Sequence, residues 1–171
     1  MSDALTRADP VPAAPFAAKT VTISLAEPIT RLSLRARDPR WLDSLLKVKM
    51  PRKIGTSERG IARLGPDEWL LHAPLGIKIP NAKTNDPLSI TDIGERAIGL
   101  IVEGPGAAAL LMTGCPIDLD HFAPGRATRT IYETVEIILL REAEDRFHVE
   151  VWRSFAPWLW SALTKSASHL E

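Results

Sequence analysis

The chain has 171 residues, equal numbers of acidic and basic side chains (21 each) and a 45% hydrophobic fraction. That is enough apolar material for one core, without the global basic field that would draw a protein to nucleic acid or an anionic membrane. The single cysteine, Cys115, excludes an internal disulfide framework and any multi-cysteine zinc site, and it suits a reducing compartment.

Residues 1–18 are rich in Ala and Pro, with Pro10, Pro12 and Pro15 interrupting any regular element, and read as a flexible tail. They lack the apolar core of a secretory signal, and no later run is long and apolar enough to span a bilayer, so the expected location is the cytoplasm. The folded domain is expected over 19–169.

From Ile29 to Arg37 the pattern alternates, with Leu32, Leu34 and Ala36 on one face and Arg31, Ser33, Arg35 and Arg37 on the other, as in a half-buried strand. The period then lengthens. Asp38-Pro39 reads as an N-cap and a first-turn proline, and Trp41, Leu42, Leu45 and Leu46 follow at helical spacing up to about Lys49. The basic run Lys47 to Lys53 is expected to be a solvated helix end. GIARLGPDEWLLHAP then predicts two short strands joined at Gly65-Pro66-Asp67, and the segment 76–87, GIKIPNAKTNDP, predicts a loop.

SITDIGERAIGLIVEGP resumes with strands, Gly104-Pro105 opens a short helix AAALLM, and Gly114 is expected to end it as a left-handed cap. RATRTIYE, TVEIILLRE and RFHVEVWR predict three further strands. Ser154 is expected to cap a terminal helix with Pro157 in its first turn. The order predicts an α+β fold of two similar halves, about 29–87 and 88–169, each an antiparallel sheet covered by helices.

Candidate chemistry is sparse. Cys115, beside a proline and without a neighbouring cation, reads as a structural thiol. Asp118, Asp120 and His121 have weak metal-ligand spacing and read as solvated loop residues, while His72 and His148 read as isolated structural histidines. There is no glycine-rich dinucleotide loop, Walker loop or HExxH. No catalytic, cofactor-binding or metal-binding residue is therefore assigned.

The aromatic content is concentrated instead. In RFHVEVWR, Phe147, Val149 and Val151 form the core face, which puts Trp152 on the other side with His148 and Glu150. In the terminal helix, Phe155, Trp158, Leu159, Ala162 and Leu163 form a stripe, and Trp160 points away from its centre. Either the helix crosses the sheet edge and uses Trp160 to cover its own flank, or the rings form an interface, since large rings are enriched at interaction hot spots.

ARLGPDEWLLHAP, LLMTGCPIDLD and FHVEVWRSFAPWLWSAL, in that order and separation, resemble the gamma subunit of heterotetrameric sarcosine oxidase. The resemblance extends over about residues 29–167. It implies a fold related to the folate-binding domain of the glycine-cleavage T-protein, here the folate-binding aminomethyltransferase-domain-like architecture. It also implies an assembly role without a cofactor on this chain, with Trp152, Arg153, Trp158 and Trp160 as the candidate partner interface against the flavin-bearing subunits. The alpha, beta and delta subunits of such a complex are expected to carry flavin, NAD, tetrahydrofolate and zinc, and to oxidise sarcosine to glycine with one-carbon transfer to tetrahydrofolate. A homo-oligomer of the isolated chain and a folate-binding aminomethyltransferase-like activity are the alternatives.

Overall fold

The computed structural model describes residues 9–78 and 87–170. The chain runs through β1 (Phe16–Ala17), β2 (Thr22–Leu25), β3 (Thr30–Ala36), α1 (Pro39–Leu46), β4 (Thr56–Glu58), β5 (Ile61–Arg63) and β6 (Glu68–Ala73). It continues with β7 (Leu88–Asp92), β8 (Ala97–Glu103), α2 (Ala107–Met112), β9 (Ala127–Tyr132), β10 (Val135–Ala143), β11 (Arg146–Trp152) and α3 (Ala156–Ala167). All strand pairs are antiparallel.

Two sheets form, ordered β1-β2-β8-β11-β10-β9 and β4-β5-β6-β3-β7. Each contains the same unit, strand-helix-three strands: β3-α1-β4-β5-β6 in one and β8-α2-β9-β10-β11 in the other. The strand that precedes each unit crosses to the other sheet. Thus β2 leads into β3 but pairs with β8, and β7 leads into β8 but pairs with β3. Against halves expected at 29–87 and 88–169, β7 of the second half joins the first sheet, and β2, which precedes residue 29, joins the second.

Alternation decides what each face buries. In the first unit Leu32, Leu34, Ala36, Trp69, Leu71 and Ala73 pack with Leu42 of α1. In the second, Val149, Val151, Leu100, Ile137 and Leu139 pack with Leu110 and Leu111 of α2 and Leu159 and Leu163 of α3. The opposite faces meet each other, through Ala62 and Leu70 of one sheet against Ala127 and Leu140 of the other. The layers run helix, sheet, sheet, helix, so β8 is buried on both faces. The polar face of β3, expected in solvent, is partly interior: Arg31 is only 6% exposed, while Arg35 stays exposed.

Local chemistry fixes the ends. Asp38 accepts the Arg40 amide hydrogen at 2.9 Å with Pro39 in the first turn of α1, as expected. The basic run after α1 is not simply solvated: Asp43 accepts from the Met50 amide at 2.8 Å and pairs with Arg52, so Met50 enters the core. The Trp69 indole donates to the Pro51 carbonyl at 3.1 Å, satisfying a fully buried ring.

Three local expectations are corrected. Gly114 is not a left-handed cap: Thr113 is the C-cap of α2, and Gly114 lies under the Tyr132 ring, where a Cβ would come within 2.8 Å of ring carbon. Ser154 does not cap α3, whose N-cap is Phe155 without a side-chain bond. In the stretch read as a flexible tail, Val11 is 5% exposed in the core and Phe16–Ala17 pairs with β2, because apolar side chains between the prolines find the sheet edge. Most of the loop expected over 76–87 lies outside the described residues, as do residues 1–8.

Candidate functional site

The seam between the sheets carries a cluster of buried charge. β3 supplies Arg31, β6 supplies His72, and β11 supplies His148 and Glu150, two residues apart and so on one face. Arg31 Nε donates to both Glu150 carboxylate oxygens, at 2.7 and 2.9 Å. His148 Nε2 lies 2.7 Å from Glu150 Oε1, and its Nδ1 lies 3.4 Å from Glu142 Oε1 on β10. His72 Nε2 is 3.2 Å from Glu150 Oε1 without a well-aligned hydrogen bond, and the two imidazoles stand 4.8 Å apart. Gly99 of β8 leaves the room for His148, since a Cβ there would collide with its ring.

The groups hold one another charged. Burial works to raise the Glu150 carboxyl, but the neighbouring His148 and His72 outweigh it and hold it well below the ordinary range. Burial works to lower His148, and the Glu142 and Glu150 carboxylates outweigh it, raising the ring above an ordinary histidine. His148, helped by Arg146, lowers the Glu142 carboxyl to about 2.

His72, His148 and Glu150 have ligand atoms within 4.8 Å of one another, close enough to converge on a metal ion. The guanidinium already clamped on both Glu150 oxygens opposes that reading. Arg31 and a protonated His148 already surround the buried Glu150, so a divalent cation in place of the proton would bury an extra positive charge.

The residues expected at a partner interface separate by exposure. Trp152 is 43% and Trp158 39% exposed. Trp152 carries the Arg96 guanidinium 3.9 Å over its ring, which orients it at the end of β11. Arg153 is half-buried, its amide bonded to the Arg96 carbonyl at 2.8 Å and its guanidinium 3.9 Å from Asp9. Trp160 packs partly buried against the larger core and leaves less of its ring for any partner. Phe155, expected in the buried stripe, is 46% exposed because it precedes the first turn, and the stripe is Ala156, Leu159, Leu163 and Ala167.

The remaining candidates sit apart. Cys115 is buried beside Thr130, its sulfur 3.9 Å from the hydroxyl, as expected for a structural thiol. Asp118 and His121 form a 2.7 Å contact on the surface. The expectation of two isolated histidines fails: His72 and His148 meet across the seam. Sequence offered one signal, the polar side chains at every second position of β11, but nothing in it showed that this face would meet another sheet.

The α+β architecture of paired antiparallel sheets with outer helices defines the class. The aminomethyltransferase T of the glycine cleavage system from Bartonella henselae shares it, with a TM-score of 0.61 at 16% identity over 84% of this chain and 45% of that one, a likeness of fold alone. The heterotetrameric sarcosine oxidase from Corynebacterium sp. U-96, in complex with pyrrole 2-carboxylate, contains a chain that matches more fully. There the TM-score is 0.77 at 26% identity, over 91% of this chain and 89% of that one.

In sequence, the chain is 29% identical over 166 residues to the sarcosine oxidase subunit gamma of Corynebacterium sp. (strain U-96), covering 86% of this chain and 81% of the relative. It is 28% identical over 142 residues to that of an Arthrobacter species, covering 74% and 70%. No family model matches. The resemblance to the gamma subunit of heterotetrameric sarcosine oxidase therefore holds over most of the chain in both sequence and fold.

Proposed function

We propose that this chain is the gamma subunit of a heterotetrameric sarcosine oxidase and works there as a non-catalytic assembly subunit. The observation that carries the reading is the agreement in fold over nine-tenths of both chains with a component of such a complex. On this reading alpha, beta and delta chains supply the flavin, NAD, tetrahydrofolate and zinc sites and carry out oxidative demethylation of sarcosine to glycine. This chain supplies a shaped surface. Trp152, Arg153 and Trp158 belong to it, with Phe155 added by its exposure and Trp160 in a supporting position.

The test is a tagged co-purification of this chain with its host's large flavoprotein chains, read by absorbance and mass spectrometry. A flavin-coloured complex is expected, and the double variant Trp152→Ala/Trp158→Ala is expected to lose partners at unchanged melting temperature. Each hot-spot ring contributes about 2 kcal/mol or more, roughly thirtyfold in affinity. A colourless homo-oligomer from the host would overturn the reading. Stoichiometric tetrahydrofolate binding by the isolated chain would favour the aminomethyltransferase-like alternative, for which the shared fold is the support.

A further inference from the structure

The seam cluster joins units that the chain connects only at their ends. Arg31 and His72 come from one sheet, and Glu142, His148 and Glu150 from the other, so every contact of Glu150 with Arg31 or His72 crosses the seam. Both His148 ring nitrogens face carboxylates. A neutral imidazole would turn a lone pair toward one of them, whereas the imidazolium donates at both.

We infer that His148 is a proton lock: its imidazolium, held between Glu142 and Glu150, completes the charge balance that fastens the two sheets, and its deprotonation loosens the seam. The groups facing it are Glu150 on its own strand, Glu142 on β10, and His72 and, through Glu150, Arg31 on the opposite sheet. Arg146 reaches Glu142 at 3.0 Å and also pairs with Glu103 of β8, so it anchors the outer carboxylate from the rim. β8 meets the ring with Gly99 and contributes no charge of its own there.

Loss of the proton to solvent removes the cation from between the buried Glu150, which keeps Arg31, and the exposed Glu142, which keeps Arg146, and leaves an unprotonated nitrogen aimed at a carboxylate. The raised His148 contributes stability fully present below its unfolded value, near pH 6.5, and lost as pH rises through its folded value. The lock therefore opens on the alkaline side. Trp152 is the next residue after Glu150 on this face of β11, so the strand that carries the lock also ends in the aromatic surface. The inference itself concerns only the isolated chain and stands whether or not that surface binds a partner.

The experiment is NMR of the ring nitrogens of His148 in the purified chain, titrated between pH 6 and 10, alongside melting temperatures for wild type, Glu142→Gln and His148→Gln. Imidazolium shifts are expected to persist above pH 6.5, with a midpoint above that of an ordinary histidine which falls in Glu142→Gln. The stability advantage of wild type over His148→Gln should shrink through the same midpoint. A His148 ring that titrates at or below the ordinary histidine value overturns the lock, and the wild-type titration decides this even if His148→Gln does not fold. Stoichiometric zinc retained after dialysis against Zn2+, and lost in His72→Ala, would also overturn it in favour of a metal centre.

Discussion

At the scale of single residues, the seam shows why a buried charge costs most when it loses its partner. Arg31→Met leaves the Glu150 carboxylate, 3% exposed, without its guanidinium. Breaking such a pair costs about 3–5 kcal/mol, which urea unfolding will read directly. Replacing both partners, as Arg31→Met/Glu150→Leu, should cost much less than Arg31→Met alone, because no orphan charge remains. If the single and double variants are equally destabilised, the pair does not carry the energy assigned to it here. Arg141 shows the other way to bury a cation: its guanidinium donates to the Leu119 and Phe122 carbonyls at 2.9 Å and to the Glu144 carbonyl, fastening two loops with backbone oxygen.

At the scale of elements, the start of α1 was legible to the residue because its signals are local, whereas the helix expected to run to about Lys49 stops at Leu46, with Lys47 in the left-handed conformation. A capping carboxylate, a first-turn proline and apolar residues at helical spacing lie within nine positions, from Asp38 to Leu46. Asp38→Ala should lower the melting temperature with little change in activity of any assembled complex. A loss of partners without a loss of stability would instead place α1 at an interface. Strands β3, β8, β10 and β11 were legible through alternation, whereas β4 was not. Its three residues, Thr56–Glu58, have no apolar period and are held by pairing with β5 and a bridge to Arg126. The start of α3 was misread because Ser154 has the usual capping chemistry, yet the turn after β11 places Phe155 at the cap.

At the scale of the molecule, the two units are coupled by exchanged strands and by the charged seam, so acid should act on both together. Glu142, lowered to about 2, and Glu150, held well below the ordinary range, contribute stability that is present above the unfolded value of 4.5 and lost as pH falls through their folded values. The chain should therefore weaken progressively from about pH 4.5 toward pH 2, followed by circular dichroism, with both sheets unfolding in one transition. Glu150→Gln should flatten that part of the profile. Separate transitions for the two sheets would show that the exchanged strands do not bind them into one cooperative unit.

The sequence by itself determined the fold class, most of the strands and helices, the faces that pack against helices and the family resemblance. Those depend on short-range periodicity, caps and wording that a single chain displays. Tertiary structure alone decided that β2 and β7 trade sheets, because antiparallel pairing is carried by backbone groups that any strand offers equally. It also decided the site. Arg31 and Glu150 are 119 positions apart, and each occupies the polar side of an ordinary alternating strand. Only when two such sides close on each other does a face that alternation assigns to water become an interior that must balance its own charge.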